Sequence, residues 1–351
     1  VNAPAPAAVT ERQRFLGGSD AAAVLGVSPF ATPVDVYLEK TGHSYPAPPD
    51  HGKERLFRWG KLLEPVVVKH LRQDYGVKVT KVSTPRKPNR YQDQEHGFLA
   101  AEIDFEWRVT RDLVDEYELS RDLVNTIQNG EIKTVHTFAA AKFGEAETED
   151  VPIEYAAQAM AGLMVTGRKL CMFGVLTGTR DVTLYWIKRD EQTIAAMRAR
   201  LVAFWHDHVL AGVPPHPLNV FDTYKLFRKA PSTKVEATPE VIALCHDLES
   251  AKDDQRIAAE RELECKYEIG KYMLGASGIM LGSKGKLLPA PDAKPGQHLL
   301  HVGGAPLLTL ELRSQSRLDG ERLKSERPEV HAEFQKSSTH FVFSKPKRKR
   351  Q

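Results

Sequence analysis

Apolar residues recur at helical spacing through the first part of the chain. Ser19-Asp20 precedes the run Ala21 to Gly26, where a capping pair opens a short apolar helix closed by glycine. Thr32, Pro33 and Asp35 supply an N-cap, a first-turn proline and a capping-box acid for a helix running to Thr41-Gly42. Residues 43–56 are polar and proline-rich, a loop, and a third helix is predicted over 57–75 with Gly76 as its stop. The period then shortens. Strands are predicted at 77–82, 98–105 and 130–135, then at 170–177 and 181–187. Helices at 152–166 and 190–211 flank that second pair, and Pro214-Pro215-His216-Pro217 closes the unit.

This order predicts an α/β (α+β) chain with a mixed central sheet flanked by helices. Residues 1–10 read as a flexible Pro/Ala leader, 11–218 as the core, 219–344 as a helical and small-strand extension, and 345–351 as a basic tail. Within the core, 106–129 is charged and lacks Pro and Gly, so it reads as an inserted hairpin or arm. In the extension, 238–275 has helical spacing, 297–302 and 306–313 are short strand candidates, a helix follows near 320–336, and 339–343 is a last strand.

The 351 residues suffice for a full core, and 41% hydrophobic with 27% charged residues is ordinary for a globular chain. No apolar run approaches the roughly 18–20 residues that span a bilayer. Three cysteines without a C-x-x-C argue for a reducing compartment and against a zinc or iron–sulfur site. A net charge of +3 identifies no partner, but Lys345, Lys347, Arg348, Lys349 and Arg350 end the chain as a candidate arm for phosphate backbones. An import signal or a solubilising end would look the same.

The candidate chemistry starts at Glu131-Ile132-Lys133. Residues i and i+2 of a strand share a face, so Glu131 and Lys133 project together while Ile132 enters the core. With Asp104 delivered from another strand, two carboxylates and a lysine suit Mg²⁺-assisted phosphodiester hydrolysis. A solvated pair at a sheet edge is the plain alternative. Glu64 falls on the apolar stripe formed by Phe57, Gly60, Val67, Val68, Leu71 and Tyr75, where a carboxylate needs a metal or an arginine. Pro65 bends that helix or lies near its start. On the helix at 152–166, Ala156, Ala157, Met160, Leu163 and Met164 form the core face, and Tyr155, Gln158 and Gly162 lie opposite. That second face suits a phosphate or a water, or simply solvent. Arg12 and Arg14 precede a Gly17-Gly18-Ser19 turn, an anion site unless Ser19 only caps its helix.

Together these segments resemble the YqaJ-type viral recombinases, the phage lambda exonuclease branch of the PD-(D/E)xK nucleases. The likeness runs through Arg12, Leu16-Gly17-Gly18-Ser19-Asp20, Thr32-Pro33, Thr41-Gly42 and Trp59-Gly60-Lys61-Leu62-Leu63-Glu64-Pro65. It continues in order through Glu131-Ile132-Lys133, Pro152, Tyr155, Gln158, Phe204-Trp205 and Pro214-Pro215, with a fainter echo over 317–344. The resemblance implies a restriction-endonuclease-like core and a Mg²⁺-dependent 5′→3′ exonuclease on duplex DNA ends, with Mn²⁺ as a substitute. It implies a single-strand annealing protein as partner, a ring-shaped homotrimer and the cytoplasm of a bacterial host. By position, Asp104, Glu131 and the Ile132 carbonyl would hold the metal, with Glu64 beside them. Lys133 would orient the attacking water, Tyr155 and Gln158 would support the site, and Arg12 with Ser19 would hold the 5′-phosphate. Ile103 stands where the family carries proline before the aspartate, and 225–316 is left unaligned with it. A site- or structure-specific endonuclease, or a non-catalytic DNA-binding recombination protein, are the competing readings.

Overall fold

The computed structural model describes residues 11–43, 51–178, 181–228, 234–276, 297–302, 305–311, 325 and 327–329. The chain divides into two units, Val1–Ala230 and Pro231–Gln351. In the first, α1 (Gly18–Val24), α2 (Pro33–Lys40) and α3 (His51–Gln73) precede β1 (Lys78–Val82), β2 (Arg90–Gln92), β3 (Ala100–Glu102) and β4 (Phe105–Arg108). Then come α4 (Arg111–Glu116), β5 (Ile127–Val135), α5 (Thr137–Ala140), α6 (Ile153–Thr166), β6 (Leu170–Thr177), β7 (Val182–Lys188), α7 (Glu191–Phe204) and α8 (Val220–Phe227).

Five strands form one sheet in the order β1-β4-β5-β6-β7. Only β5 and β6 are parallel, and α6 lies on the crossover that such a pair requires. Strand alternation fills both faces. Cys171, Phe173 and Val175 join α1, α2, α6 and α7 in one core, whereas Leu170, Met172 and Ile132 join Val67, Val68 and Leu71 of α3 in the other. β1 carries a register irregularity between Val79 and Lys81. At the opposite edge the Glu147 N–H bonds to the Leu184 carbonyl, and the Trp186 N–H bonds to that of Thr148.

Several expectations change. Residues 106–129 are no inserted arm: Phe105–Arg108 is an interior strand, and Trp107, Val109, Leu113, Val114, Leu119 and Leu123 are buried behind the charges that flank them. The stretch 98–105 breaks at Ile103-Asp104 into β3, which pairs with β2 in a separate hairpin, and the start of β4. Helix α3 begins at His51, inside the expected loop. Its stripe is buried only from Val67 to Leu71, since Phe57 is 72% exposed and Tyr75 lies past the helix end. Gly17, not Ser19, caps α1, with its N–H bonded to Asp20 Oδ2 at 2.9 Å. Gly162 is not on an open face either, because a Cβ there would stand 3.2 Å from Ile103 Cδ1.

The first unit also runs beyond 218. Buried Asp222 of α8 accepts from Thr32 Oγ1 at 2.9 Å, and Lys225 reaches Asp35 at 2.6 Å. The second unit contains α9 (Pro239–Ala276) and an antiparallel pair, β8 (Gln297–Val302) and β9 (Ala305–Glu311). The leader 1–10, the strand at 339–343 and the tail 345–351 lie outside the described residues, as does most of the helix near 320–336.

Candidate active site

Glu131 and Lys133 leave β5 toward α6 and meet Gln158 there. Lys133 Nζ stands 3.2 Å from Glu131 Oε2 and donates to Gln158 Oε1 at 3.0 Å, while Gln158 Nε2 donates to the same Glu131 oxygen at 3.0 Å. The three side chains therefore close a ring of hydrogen bonds that fixes each by the other two. Aromatic groups border it. Lys133 Nζ lies 5.2 Å from the Tyr155 ring centre and 6.0 Å from that of Phe173, and Tyr155 packs on Phe143 at 5.9 Å.

Asp104 occupies the bend before β4. The β4–β5 ladder reaches the Phe105–Gly130 pair, and beyond it the Ile132 N–H donates to Asp104 Oδ2 at 2.8 Å. A carboxylate thus replaces the next strand bond and is brought beside Glu131. Gly130 makes this possible: a Cβ there would come within 2.3 Å of the Phe105 ring.

The electrostatics are those of crowded, buried acids. Burial, aided by the Asp104 charge, pushes the Glu131 carboxyl up to about 8 from its ordinary 4.5. Burial also raises Asp104, against the pull of Lys133. For Lys133, burial alone would lower the ammonium, but Glu131 and Asp104 outweigh it and raise it. Glu64, half-buried on α3, is raised by burial and by the nearby Asp104. One turn before it, a Cβ on Gly60 would stand 3.3 Å from Thr134 Oγ1, so α3 crosses close to β5.

Among the described residues no three His, Cys, Asp or Glu side chains form a metal-holding group. The donor set still fits a hard cation. Asp104 and Glu131 offer only carboxylate oxygens, both resist ionisation where they stand, and a bound divalent ion removes that cost. A stability prediction follows from the sign of the Glu131 shift. The folded state holds this proton more tightly than the unfolded state, so the associated stability is fully present below about 4.5 and is lost as pH rises through about 8. The metal-free protein should lose melting temperature between those values, and Mg²⁺ should restore more of it at the alkaline end. Glu131→Gln should flatten the trend, and an unchanged pH slope in that variant would defeat the explanation.

At the other candidate subsite, Arg12 Nη2 lies 3.4 Å from Ser19 Oγ and 3.3 Å from Asp20 Oδ1, and its Nε donates to Glu39 Oε1 at 2.9 Å. The Arg14 side chain is exposed and makes no hydrogen bond or ion pair with a described residue, so the chain brings Arg12, not Arg14, to Ser19. The two subsites touch: a Cβ on Gly18 would stand 3.1 Å from Gln158 Cγ and 3.3 Å from the Gln158 carbonyl oxygen. Lys345, Lys347, Arg348, Lys349 and Arg350 lie outside the described residues. The sequence reading missed Phe143 and Phe173, which pass for ordinary core residues. It also missed Gly18 as a contact, although a Gly-Gly pair before a helix was a usable signal.

Residues 9–169 match the family described as the YqaJ-like viral recombinase domain, and the chain is similar to that family over this stretch. The chain is 26% identical over 333 residues to the YqaJ protein of Bacillus subtilis (strain 168), covering 94% of this chain and 90% of that one. Among solved structures it is similar to an alkaline exonuclease, LHK-Exo, from Laribacter hongkongensis, at 17% identity and a TM-score of 0.40, covering 57% of this chain and 91% of that one. It is also similar to a phage-related exonuclease from Haemophilus somnus 129PT, at 12% identity and a TM-score of 0.35, covering 56% and 96%. No helix among the described residues is long and apolar enough to cross a membrane.

Proposed function

We propose that this chain is a metal-dependent deoxyribonuclease that degrades duplex DNA from its ends in the 5′→3′ direction, leaving single strands for recombination by annealing. The observation that carries the reading is the closed ring of Glu131, Lys133 and Gln158 beside Asp104. A buried lysine held between a carboxylate and an amide, next to a second carboxylate, suits in-line attack of water on a phosphodiester. Asp104, Glu131 and the Ile132 carbonyl would hold Mg²⁺, or Mn²⁺ in its place, with Glu64 beside them. That cation supplies Lewis-acid polarisation of the scissile phosphate. Lys133 orients the attacking water, and Gln158 and Tyr155 keep the lysine in place. Arg12 and Ser19 receive the terminal 5′-phosphate. The exposed side of α3 adds Arg55, Arg58 and Lys61, interleaved with exposed Phe57 and Trp59, a mixture suited to a nucleic-acid strand. A single-strand annealing protein, a ring-shaped homotrimer and the cytoplasm of a bacterial host complete the proposal.

The test is product analysis on end-labelled linear duplex and on a closed circle, with and without Mg²⁺. Nucleotides released from the 5′ end of the linear substrate alone, and only with metal, are expected. Cutting of the closed circle would instead make the enzyme an endonuclease. The terminal-phosphate pocket adds a separate expectation. Ends bearing 5′-phosphate should be degraded faster than 5′-hydroxyl ends, by roughly ten- to hundredfold for a charge-assisted contact expressed in the transition state. Arg12→Ala should erase that preference and Arg14→Ala should keep it. Loss of the preference in the Arg14 variant alone would reassign the pocket.

A further inference from the structure

The side chain of Lys40 is wholly buried, and its Nζ sits 2.8 Å from Asp20 Oδ2 and 3.0 Å from the main-chain oxygen of Arg12. Asp20, itself buried, is the hub of this cluster. Its Oδ2 also accepts the Gly17 N–H at 2.9 Å, and its Oδ1 faces the Arg12 guanidinium at 3.3 Å. One ammonium and one carboxylate therefore fix the backbone of Arg12, the head of Arg12 and the turn that abuts Gln158.

Stability alone does not account for this pair. Burying two charges is costly, and their mutual attraction does little more than offset that cost, so an apolar pair of similar volume serves a core as well. Charge balance is where the pair matters. Two cations, Arg12 and Lys40, meet two carboxylates, Asp20 and Glu39. With Lys40 in place, Asp20 is matched from inside the protein. The Arg12 guanidinium, its side chain 56% exposed, keeps charge to offer outward. Without Lys40, both carboxylates would draw on Arg12 alone, and an incoming anion would meet a neutralised or net negative surface.

We infer that Lys40 is a positioning residue for terminal-phosphate recognition: through Asp20 it leaves Arg12 electrostatically available to a phosphate monoester at a DNA 5′ end. The inference rests on the phosphate-pocket reading above. Its readout is the ratio of initial rates on 5′-phosphorylated and 5′-hydroxyl duplexes, which a purely structural defect would not move because both rates would fall together. Lys40→Met should lower that ratio by about tenfold or more, the size of one charge-assisted contact. The double variant Asp20→Asn with Lys40→Met removes one charge of each sign and should bring the ratio back toward the wild-type value.

A wild-type ratio in the Lys40→Met protein overturns the inference. So does a double variant whose ratio stays as low as that of the single one. Should Lys40→Met not fold, Lys40→Gln, which removes the charge but keeps a donor for Asp20, decides by the same measurement: a lowered ratio supports the role and a wild-type ratio overturns it. Equal rates on both ends by the unmutated protein would overturn the phosphate pocket itself and this inference with it. A wild-type preference that survives Lys40→Met removes this inference alone.

Discussion

Replacing Lys133 with alanine is expected to slow degradation of a linear duplex by about 10²–10³-fold, the loss typical when one preorganised donor is taken from a reacting centre. The ammonium makes two contacts that nothing else can supply, to Glu131 Oε2 at 3.2 Å and to Gln158 Oε1 at 3.0 Å. In the proposed reaction the water would then have no orienting cation, and the two acids lose the charge that opposes their raised affinity for protons. Duplex binding, measured with Ca²⁺ to block turnover, should be nearly unchanged, because Lys133 is only 16% exposed and faces the cluster. Arginine should not rescue the variant, since a planar fork cannot occupy the slot of a compact ammonium between the Tyr155 and Phe173 rings. Turnover by the alanine variant within a few-fold of the parent would remove Lys133 from the chemistry.

The largest effect on stability is expected at Gly130. An alanine there places its methyl carbon 2.3 Å from two ring atoms of Phe105 and 2.5 Å from a third, closer than non-bonded carbons approach. Phe105 is fully buried and directly opposite in the strand register, so it has nowhere to turn. Overpacking of this kind costs about 3 kcal/mol, the upper part of the usual range. In a unit of this size that lowers the melting temperature by roughly 6–12 °C. Gly130→Ala should also reduce activity, because the displaced strand carries Glu131. Phe105→Leu should be partly compensating: the double variant should be more stable than the sum of the two single changes predicts. An unaltered melting curve for Gly130→Ala would show that the contact is relieved by an easy backbone shift.

Much of this arrangement was legible in the sequence, for reasons that differ along the chain. The Glu131-Ile132-Lys133 alternation was readable because strand phase is local: both polar side chains must share a face, and they meet on Gln158. Thr32, Pro33 and Asp35 were readable because a capping box is complete within four residues, and its bonds are present. Long-range effects were not readable. Phe105–Arg108 was hidden because Glu106, a charged residue in a run of four, is buried against Arg168 at 3.3 Å, a partner 62 positions away. The exposed start of α3 defeated the wheel, since helical spacing marks a stripe but not how far the sheet extends beneath it. Lys40 gave no signal at all. A lysine in the last turn of a helix normally faces solvent and favours the helix dipole, and only the fold turns it inward.

The two outer strands of the main sheet bear on how the molecule behaves when crowded. An open sheet ordinarily ends in rows of unpaired peptide groups that can template the addition of a foreign strand and seed fibrils. Along β7 the segment around Glu147 and Thr148 already occupies part of that row. Along β1 the kink between Val79 and Lys81 breaks the repeat, and two lysines within five residues repel an incoming copy. Neither margin presents a flat ribbon for docking. Heating or concentrating the first unit should therefore lead to amorphous precipitation after unfolding, without a lag phase or thioflavin-positive growth from the native state.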